Sequence, residues 1–205
     1  MADLPDDQYC TIAGRAEATL RVKGSRFLGI GFPAETQGQF KQVLHERSKR
    51  YHDATHHCWA YRLLTDGRVE FASSDAGEPS GTAGRPILSA IEGRVLLNVG
   101  LAVTRYFGGT KLGTGGLARA YADCANLVLG NTEIIVRTVT AQLTLHFDYD
   151  QLSQVMSAVN QQGAGIVESD YDADIRLTVA VPVSREALFR QVLIDVCKGH
   201  VQFSA

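Results

Sequence analysis

Residues 137–163 read "RTVTAQLTLHFDYDQLSQVMSAVNQQG", and this stretch sets the fold class of the last third of the chain. Its first eleven residues alternate between polar and apolar types, which is typical of a half-buried strand. Leu152, Val155 and Val159 then follow helical spacing, with Asp148 predicted to cap the helix and Gly163 to end it. The segment therefore predicts a strand that leads directly into a helix.

The remaining residues of this third repeat the pattern. Two strands are predicted in "GIVESDYD" (165–172) and "ADIRLTVAVPV" (173–183), and Ser184 is predicted to cap a helix over 185–199. A last strand follows in "HVQFS" (200–204). The order β-α-β-β-α-β is the split βαβ, or ferredoxin-like, pattern.

The earlier residues predict a second α+β domain. Strands are predicted in "YCTIAG", "AEATLRV", "RFLGIGFPA", "HHCWAYRLL", "RVEFASS" and "VGLAVTRYF", with a tight turn at Asp66-Gly67. Helices are predicted after the cap Thr36, in "PILSAIEG" and in "GGLARAYADCANLVLG". We therefore expect an α+β protein: a mixed sheet with helices packed on it over residues 1–134, then a ferredoxin-like domain over 135–205.

Composition excludes several classes of protein. The net charge is -2, and 45% of the residues are hydrophobic, which is ordinary for a globular chain. "MADLPDDQYC" has no basic or apolar signal region, and no run approaches the roughly 20 apolar residues of a membrane helix. The four cysteines form no CxxC pair. We expect a cytoplasmic protein with reduced thiols, no membrane contact, no resident cofactor and no metal.

Basic residues are concentrated near the start of the chain. Residues 1–135 carry 15 Lys and Arg against 14 Asp and Glu, whereas residues 136–205 carry 5 against 8. Residues 15–50 alone carry eight bases and three acids. A partner that presents phosphate is therefore expected at the N-terminal part.

The segment "GGTKLGTGG" (108–116) has five glycines and precedes a helix. It is not a P-loop, because Lys111 comes before the final glycines. Gly113, Gly115 and Ala118 match G-x-G-x-x-A, but the chain after Glu133 does not continue the βαβ unit that a dinucleotide site requires. Two interpretations remain open: an anion site at a helix start, and glycines that permit positive φ and close packing.

A second glycine-rich loop, "SSDAGEPSGTAGRP" (73–86), places Asp75 and Glu78 before a helix that starts near Pro86. The two carboxylates could serve in acid-base catalysis, but bonding to loop N–H groups is favoured. His52, His56, His57 and Cys58 form the densest group of potential metal ligands. In a strand, however, His57 points away from its two neighbours, so one zinc site is disfavoured.

Four ordered motifs resemble the IMPACT/YigZ family: "KGSRFLG" (23–29), "HHCWAYR" (56–62), "DAGEPSGTAGRPIL" (75–88) and "AVTRYFGGTKLGTGGLARAYADC" (102–124). Ala76 replaces the second acid of the family's usual "DDGEP", which weakens a metal or catalytic role for an acid pair there. The resemblance implies a first domain like a domain of a small-subunit ribosomal protein and of elongation factor G domain IV. It implies a second domain like elongation factor G domain V.

Eukaryotic relatives regulate translation through a kinase that acts on an initiation factor, so the resemblance implies a role in translation. The kinship of both domains to ribosomal-protein and elongation-factor domains implies RNA or ribosome contact. A translation-related protein partner is also possible on this basis. The residues expected to meet phosphate share a basic side chain or a glycine-loop amide; they are Lys23, Arg26, Arg85, Arg105, Gly108, Gly109, Lys111, Gly113, Gly115, Gly116 and Arg119.

Two other functions remain open at this stage. The first is an enzyme acting on a phosphorylated or peptide-like small molecule, with Asp75, Glu78, His56 and His57 as the acid-base candidates. The second is a regulatory module that binds a protein through its ferredoxin-like sheet.

Overall fold

The computed structural model describes residues 7–172 and 174–204. The first six residues, from which we expected no targeting signal, and Ala173, the predicted first residue of a strand, lie outside the described part. The chain divides into two compact units. The N-terminal unit spans Cys10–Val136, and the C-terminal unit holds Arg137 onward together with residues 7–9.

Residues 7–9 had been expected in the first domain. They group with the C-terminal unit because the backbone N–H of Val139 donates to the carbonyl of Asp7 across 2.6 Å. The hydroxyl of Ser184 also donates to the Asp7 carboxylate.

Eleven strands and five α-helices occur among the described residues. The strands are β1 Gln8–Ile12, β2 Ala16–Val22, β3 Ser25–Pro33, β4 His56–Thr65, β5 Arg68–Ser74, β6 Val99–Tyr106, β7 Ile134–Thr138, β8 Thr140–Phe147, β9 Gly165–Tyr171, β10 Ile175–Pro182 and β11 Gln202–Ser204. The helices are α1 Gln37–Arg50, α2 Gly84–Glu92, α3 Gly113–Gly130, α4 Leu152–Gln161 and α5 Glu186–Val196. The predicted α+β class is confirmed.

The N-terminal unit is built on a five-stranded sheet with the strand order β2-β3-β6-β4-β5. All four strand pairings of this sheet are antiparallel, so the prediction of a sheet with both parallel and antiparallel pairs was wrong. The crossover through α1 does make β3 and β4 run in the same direction, as in a βαβ unit. However, β6 lies between them and pairs antiparallel with both.

Helices cover both faces of this sheet. Phe32, Phe40 and Leu63 belong to the core under α1. Phe27 and Leu101, on neighbouring strands, belong to the other core, which includes the buried sides of α2 and α3. Side chains alternate between the faces of a strand, which is why each central strand contributes to both cores.

Local signals explain where the helices and turns of this unit lie. Thr36 caps α1 as predicted, since its hydroxyl accepts from the backbone N–H of Gln39 at 3.2 Å. Pro86 lies in the first turn of α2, where its missing N–H costs no helical hydrogen bond. Asp66 and Gly67 have φ of 49° and 72°, the two positive values that a type I′ hairpin turn requires.

The C-terminal unit has the predicted β-α-β-β-α-β order, and its sheet order β11-β8-β10-β9 is that of a ferredoxin-like fold. All its pairings are antiparallel. Its core combines one face of the sheet with Val155 and Val159 of α4 and with Phe189 and Leu193 of α5.

Two predicted helix caps in this unit were wrong. Short 3₁₀ turns, Tyr149–Gln151 and Val183–Arg185, precede α4 and α5. Each turn moves the helix start beyond the reach of the predicted cap. Asp148 makes no side-chain capping bond, and the Ser184 hydroxyl bonds to Asp7 instead.

No helix within residues 7–172 and 174–204 is both long and apolar enough to cross a membrane.

Candidate functional site

The four sequence motifs of the N-terminal unit meet at one end of its sheet. This end holds the β2–β3 turn, the start of β4, the end of β5 and the end of β6. The strand register brings these segments together. Arg105 of β6 pairs with Phe27 of β3 on one side and with His56 of β4 on the other, and Trp59 of β4 pairs with Ser74 of β5. We call this region the motif end.

The motif of residues 23–29 packs closely against the motif of residues 102–124 at Gly24 and Gly108. A Cβ added at Gly108 would lie 1.9 Å from the carbonyl carbon of Gly24, so only glycine fits there. Ser25 strengthens the contact, since its Oγ accepts from the backbone N–H of Gly108 at 3.1 Å and from Nη2 of Arg105 at 3.2 Å. Gly108, expected to offer its amide to phosphate, is therefore a packing position.

A buried polar network lies behind this contact. We call it the locking cluster; it consists of Cys58, Glu78, Arg105 and Tyr121. Oε1 of Glu78 accepts from Nη1 of Arg105 at 2.7 Å and from the Tyr121 hydroxyl at 2.8 Å. The Cys58 thiol donates to the Tyr121 hydroxyl at 3.3 Å. The network joins β4, β6 and α3 to the loop after β5.

The locking cluster does not present charge to solvent. The Arg105 side chain is 6% exposed and the Glu78 side chain 3%. Arg105 was expected to meet phosphate, but its charge is neutralised inside the protein because Glu78 is its ion-pair partner. Desolvation raises the pKa of Cys58 to about 12 and raises the pKa of Tyr121 well above its usual value. Both groups therefore stay protonated and are poor nucleophiles or bases.

The start of α2 is occupied by the chain's own carboxylate. Asp75 accepts from the backbone N–H groups of Gly81, Ala83 and Gly84, each at 2.8 Å. Desolvation opposes ionisation of this carboxyl, yet the three N–H donors hold its pKa below the usual value. The loop-bracing role favoured for Asp75 matches these contacts. The backbone N–H groups at this helix start are therefore already bonded to an anion of the protein itself.

Arg85, in the first turn of α2, extends away from this loop into solvent. Its nearest ion-pair partner is Glu92, at 3.6 Å, and the Arg85 side chain is 62% exposed.

The two histidines of β4 point to opposite faces of the sheet, as strand alternation predicted. Nδ1 of His56 donates to the carbonyl of Ala76 at 2.9 Å, and Nε2 lies 3.9 Å from Oε2 of Glu78, too far for a hydrogen bond. His57 bonds through Nδ1 to the hydroxyl of Thr104 at 3.1 Å. Desolvation lowers the pKa of His57. In the described part of the chain, no three His, Cys, Asp or Glu residues are grouped to hold a metal ion.

The loop before α3 is open, in contrast to the loop before α2. Gly109 and Gly113 adopt φ of 83° and 71°, and no described atom lies near their Cβ positions. No side chain caps the helix at Leu112. Gly115 has a φ that any residue adopts and open space around it, so neither packing nor conformation requires glycine there. A Cβ added at Gly116 would lie 3.2 Å from Cβ of Leu112, so the helix start leaves little room for a side chain there.

Exposed basic side chains belong to the segments around this open helix start. Lys23 lies in the β2–β3 turn, Lys111 in the loop and Arg119 in the second turn of α3, and all three are exposed. Arg26 is half-buried, with its guanidinium carbon 4.6 Å from the centre of the Tyr106 ring. Phe107 is 47% exposed.

Residues 23–129, which contain all four motifs, match the model of the Impact N-terminal domain. The chain belongs to the IMPACT family. Residues 145–200 match a second family model, described as a domain of unknown function, DUF1949. The resemblance carried by the four motifs is therefore confirmed.

Several IMPACT family members align over most of the chain. The Escherichia coli IMPACT family member YigZ is 34% identical over 185 residues, which are 90% of this chain and 91% of YigZ. The Bacillus subtilis member YvyE is 28% identical over 191 residues, covering 93% and 88%. A crystal structure described as that of an hypothetical protein has a TM-score of 0.73 at 32% identity, covering 97% of both chains.

Sequence reasoning missed two residues that organise the IMPACT motif end, Ser25 and Tyr121. Ser25 is a small polar residue in a hairpin turn, which gives no sign of a partner 80 residues away. Tyr121 lies among the apolar residues on the buried side of α3, and there its hydroxyl was the available signal, because a buried tyrosine hydroxyl usually has a hydrogen-bond partner.

Proposed function

We propose that this IMPACT family member binds RNA at the motif end and acts in translation or its regulation, in association with the ribosome. The observation that carries the proposal is the difference between the two glycine-rich loops. The start of α2 is neutralised by Asp75, whereas the start of α3 has no side-chain cap and is surrounded by segments with exposed basic residues. Free amides at a helix start favour an anion.

The exposed groups suit a nucleic-acid backbone. Lys23 and Lys111 would contact phosphates as mobile point charges, and the N–H groups at the start of α3 would donate to phosphate oxygens. Phe107 offers a partly exposed ring on which an unpaired base can stack. Arg105 has a supporting role in this proposal: its guanidinium carbon lies 5.5 Å from the centre of the Phe107 ring.

The geometry gives less support to an enzyme. The Asp75 carboxylate accepts three backbone bonds, and Glu78 accepts from Arg105 and Tyr121. His56 and His57 point to opposite faces of the sheet, so they cannot act together on one substrate. The proposed function therefore assigns these residues to structure.

One observation favours a second candidate function, protein binding by the C-terminal unit. β9 is an edge strand, and all seven of its residues are exposed, including Ile166, Val167 and Tyr171. An exposed apolar edge strand can pair with a strand of another protein. Recovery of one stoichiometric protein partner after nuclease treatment, together with no RNA affinity, would favour this candidate over RNA binding.

Fluorescence anisotropy with a labelled single-stranded RNA at roughly 50 and 200 mM salt tests the proposal. We expect binding that weakens steeply with salt. Replacing both Lys23 and Lys111 with alanine should lower the slope of log affinity against log salt by about 0.7 for each phosphate that the variant no longer neutralises.

Lys41→Ala is the matched control, because it removes an exposed lysine from α1 and leaves the motif end unchanged. Absence of RNA binding at the lower salt concentration would contradict the proposal. Equal weakening by the control would also contradict it.

A further inference from the structure

We propose that a groove between α1 and the β2–β3 edge of the sheet binds a small amphipathic monocarboxylate. This α1 groove has a cavity volume of about 270 Å³ and opens to solvent. It is lined by Arg15, Glu17, Ile30, Val43, Glu46, Arg47 and Arg50. None of these residues belongs to the locking cluster or to the open start of α3, so the inference goes beyond the proposed function and does not depend on it.

A buried arginine forms one wall of the groove. The Arg47 side chain is only 5% exposed, although arginines are rarely buried without strong pairing. Nε donates to Oγ1 of Thr104 at 3.1 Å and Nη2 donates to the carbonyl of Leu28 at 2.7 Å. These two bonds fix the orientation of the guanidinium plane.

The third guanidinium nitrogen of Arg47 is weakly engaged. Nη1 reaches Oε1 of Glu17 at 3.4 Å, and the Glu17 side chain is 53% exposed. Desolvation lowers the pKa of Arg47, and Glu17 only partly offsets this effect. A carboxylate in the groove would supply the short charge-assisted bond that Glu17 does not make.

Formal charge selects a monoanion. Three arginines against two glutamates give the lining a charge of +1. Arg15 and Glu46 are 3.9 Å apart and both side chains are more than half exposed, so this pair can rearrange at little cost. Glu17 and Glu46 would repel a phosphate dianion more strongly than a carboxylate. Arg50 remains as a second cation at the rim.

The other lining residues favour an apolar body on the ligand. Ile30 and Val43 provide aliphatic surface beside the guanidinium of Arg47. A cavity volume of about 270 Å³ leaves room for a short-chain carboxylate. A second cavity shares Arg15 and Val43, but its other lining residues are Pro33, Glu35, Gln39 and Gln42, so the apolar surface does not continue there.

Isothermal titration calorimetry of the full chain with hexanoate tests this inference, with hexanol and inorganic phosphate as comparison probes. We expect hexanoate to bind and both comparison probes to bind at least about tenfold more weakly, because each lacks one of the two recognised features. Arg50→Gln should weaken hexanoate by about tenfold, since it removes one charge-assisted contact. Val43→Asp should weaken it further by placing a like charge against the ligand.

Lys49→Gln is the matched control, because Lys49 is an exposed cation on the same helix that does not line the groove. No hexanoate binding by the wild type would overturn the inference. Hexanol or phosphate binding as tightly as hexanoate would overturn it too, as would equal losses in Arg50→Gln and Lys49→Gln. Arg50 is on the rim, so its variant is expected to fold even where a change at buried Arg47 does not.

Discussion

Nη1 of Arg105 donates to Oε1 of Glu78 across 2.7 Å, and both side chains are more than nine-tenths buried. The pair connects the end of β6 to the loop after β5, and Tyr121 joins it to α3. An arginine and a glutamate that face each other inside a protein neutralise each other. Arg105 and Glu78, one from each glycine-rich motif, therefore stabilise the structure of the motif end. A ligand would be contacted by the exposed residues around them.

Removing Glu78 should destabilise the N-terminal unit strongly. Glu78→Ala leaves the buried Arg105 charge without its partner, and we expect the free energy of unfolding to fall by about 3–5 kcal/mol. Glu46→Ala is the control, since it removes an exposed glutamate paired with Arg15 and should change stability by less than about 1 kcal/mol. Urea denaturation of the three proteins measures the difference. Equal effects of the two substitutions would show that the buried pair is not structural.

Gly108, in the loop after β6, and Gly115, in the first turn of α3, should respond in opposite ways to alanine. Gly108→Ala places a methyl group 1.9 Å from the backbone of Gly24, and we expect a loss of about 3 kcal/mol or more, at the upper end for overpacked positions. Gly115→Ala meets no atom and should stabilise α3 by about 0.5–1 kcal/mol. Thermal unfolding of both variants measures this. A stabilising Gly108→Ala would contradict the packing role of the glycine contact.

Much of the fold was predictable because its signals are local. Thr36 caps α1, Asp66-Gly67 turns a hairpin, and alternation in β4 separates His56 from His57, all within a few residues of sequence. The strand order was not predictable in the same way. The continuous apolar run of β6 does predict a central strand, and β6 is central in the sheet. Its position between β3 and β4 was not predictable, because strand partners are set by contacts between segments that are distant in sequence.

The site was predictable in location and not in role. The sequence identified the motifs that form the site. It could not show whether Arg105 pairs with an external phosphate or with Glu78, which lies 27 residues earlier in the chain. At the start of α2, by contrast, the sequence favoured Asp75 as a loop brace, and the structure identifies its three backbone N–H partners. Whether a charged side chain pairs inside the protein or binds an external ligand depends on how deeply it is buried. Burial is determined by contacts between segments that are distant in sequence.

The thiol of Cys58 should be unreactive towards alkylating reagents in the folded protein. Desolvation raises the pKa of Cys58 to about 12, so the thiol stays protonated at pH 8 and little thiolate is present to react. We expect iodoacetamide to modify Cys10, which is partly exposed, far faster than Cys58. Mass spectrometry of the digested protein measures both rates, with urea-unfolded protein as the control in which the two rates converge. Rapid labelling of Cys58 in the native protein would contradict this expectation and indicate a reactive thiol.

The Asp75 carboxylate should make the stability of the N-terminal unit depend on pH in the acid range. Its pKa is lower in the folded chain than the value of about 3.9 expected when unfolded, so its contribution is fully present above that value. The contribution is lost as pH falls through the folded pKa, because protonation then removes the acceptor for the N–H groups of Gly81, Ala83 and Gly84.

Asp75→Asn should lower the free energy of unfolding by about 0.5–2 kcal/mol at pH 7, the range for a lost helix cap. The difference from the wild type should begin to shrink as pH falls below about 4, because the unfolded wild-type carboxyl then takes up a proton. It should disappear below the lower pKa of the folded chain, where the folded carboxyl is protonated as well. Asp123→Asn, at an exposed position of α3, is the control and should have little effect at either pH. Urea denaturation at pH 7 and near pH 3 measures both variants. A difference at Asp75 that stays constant between the two pH values would contradict its role as an ionised cap of α2.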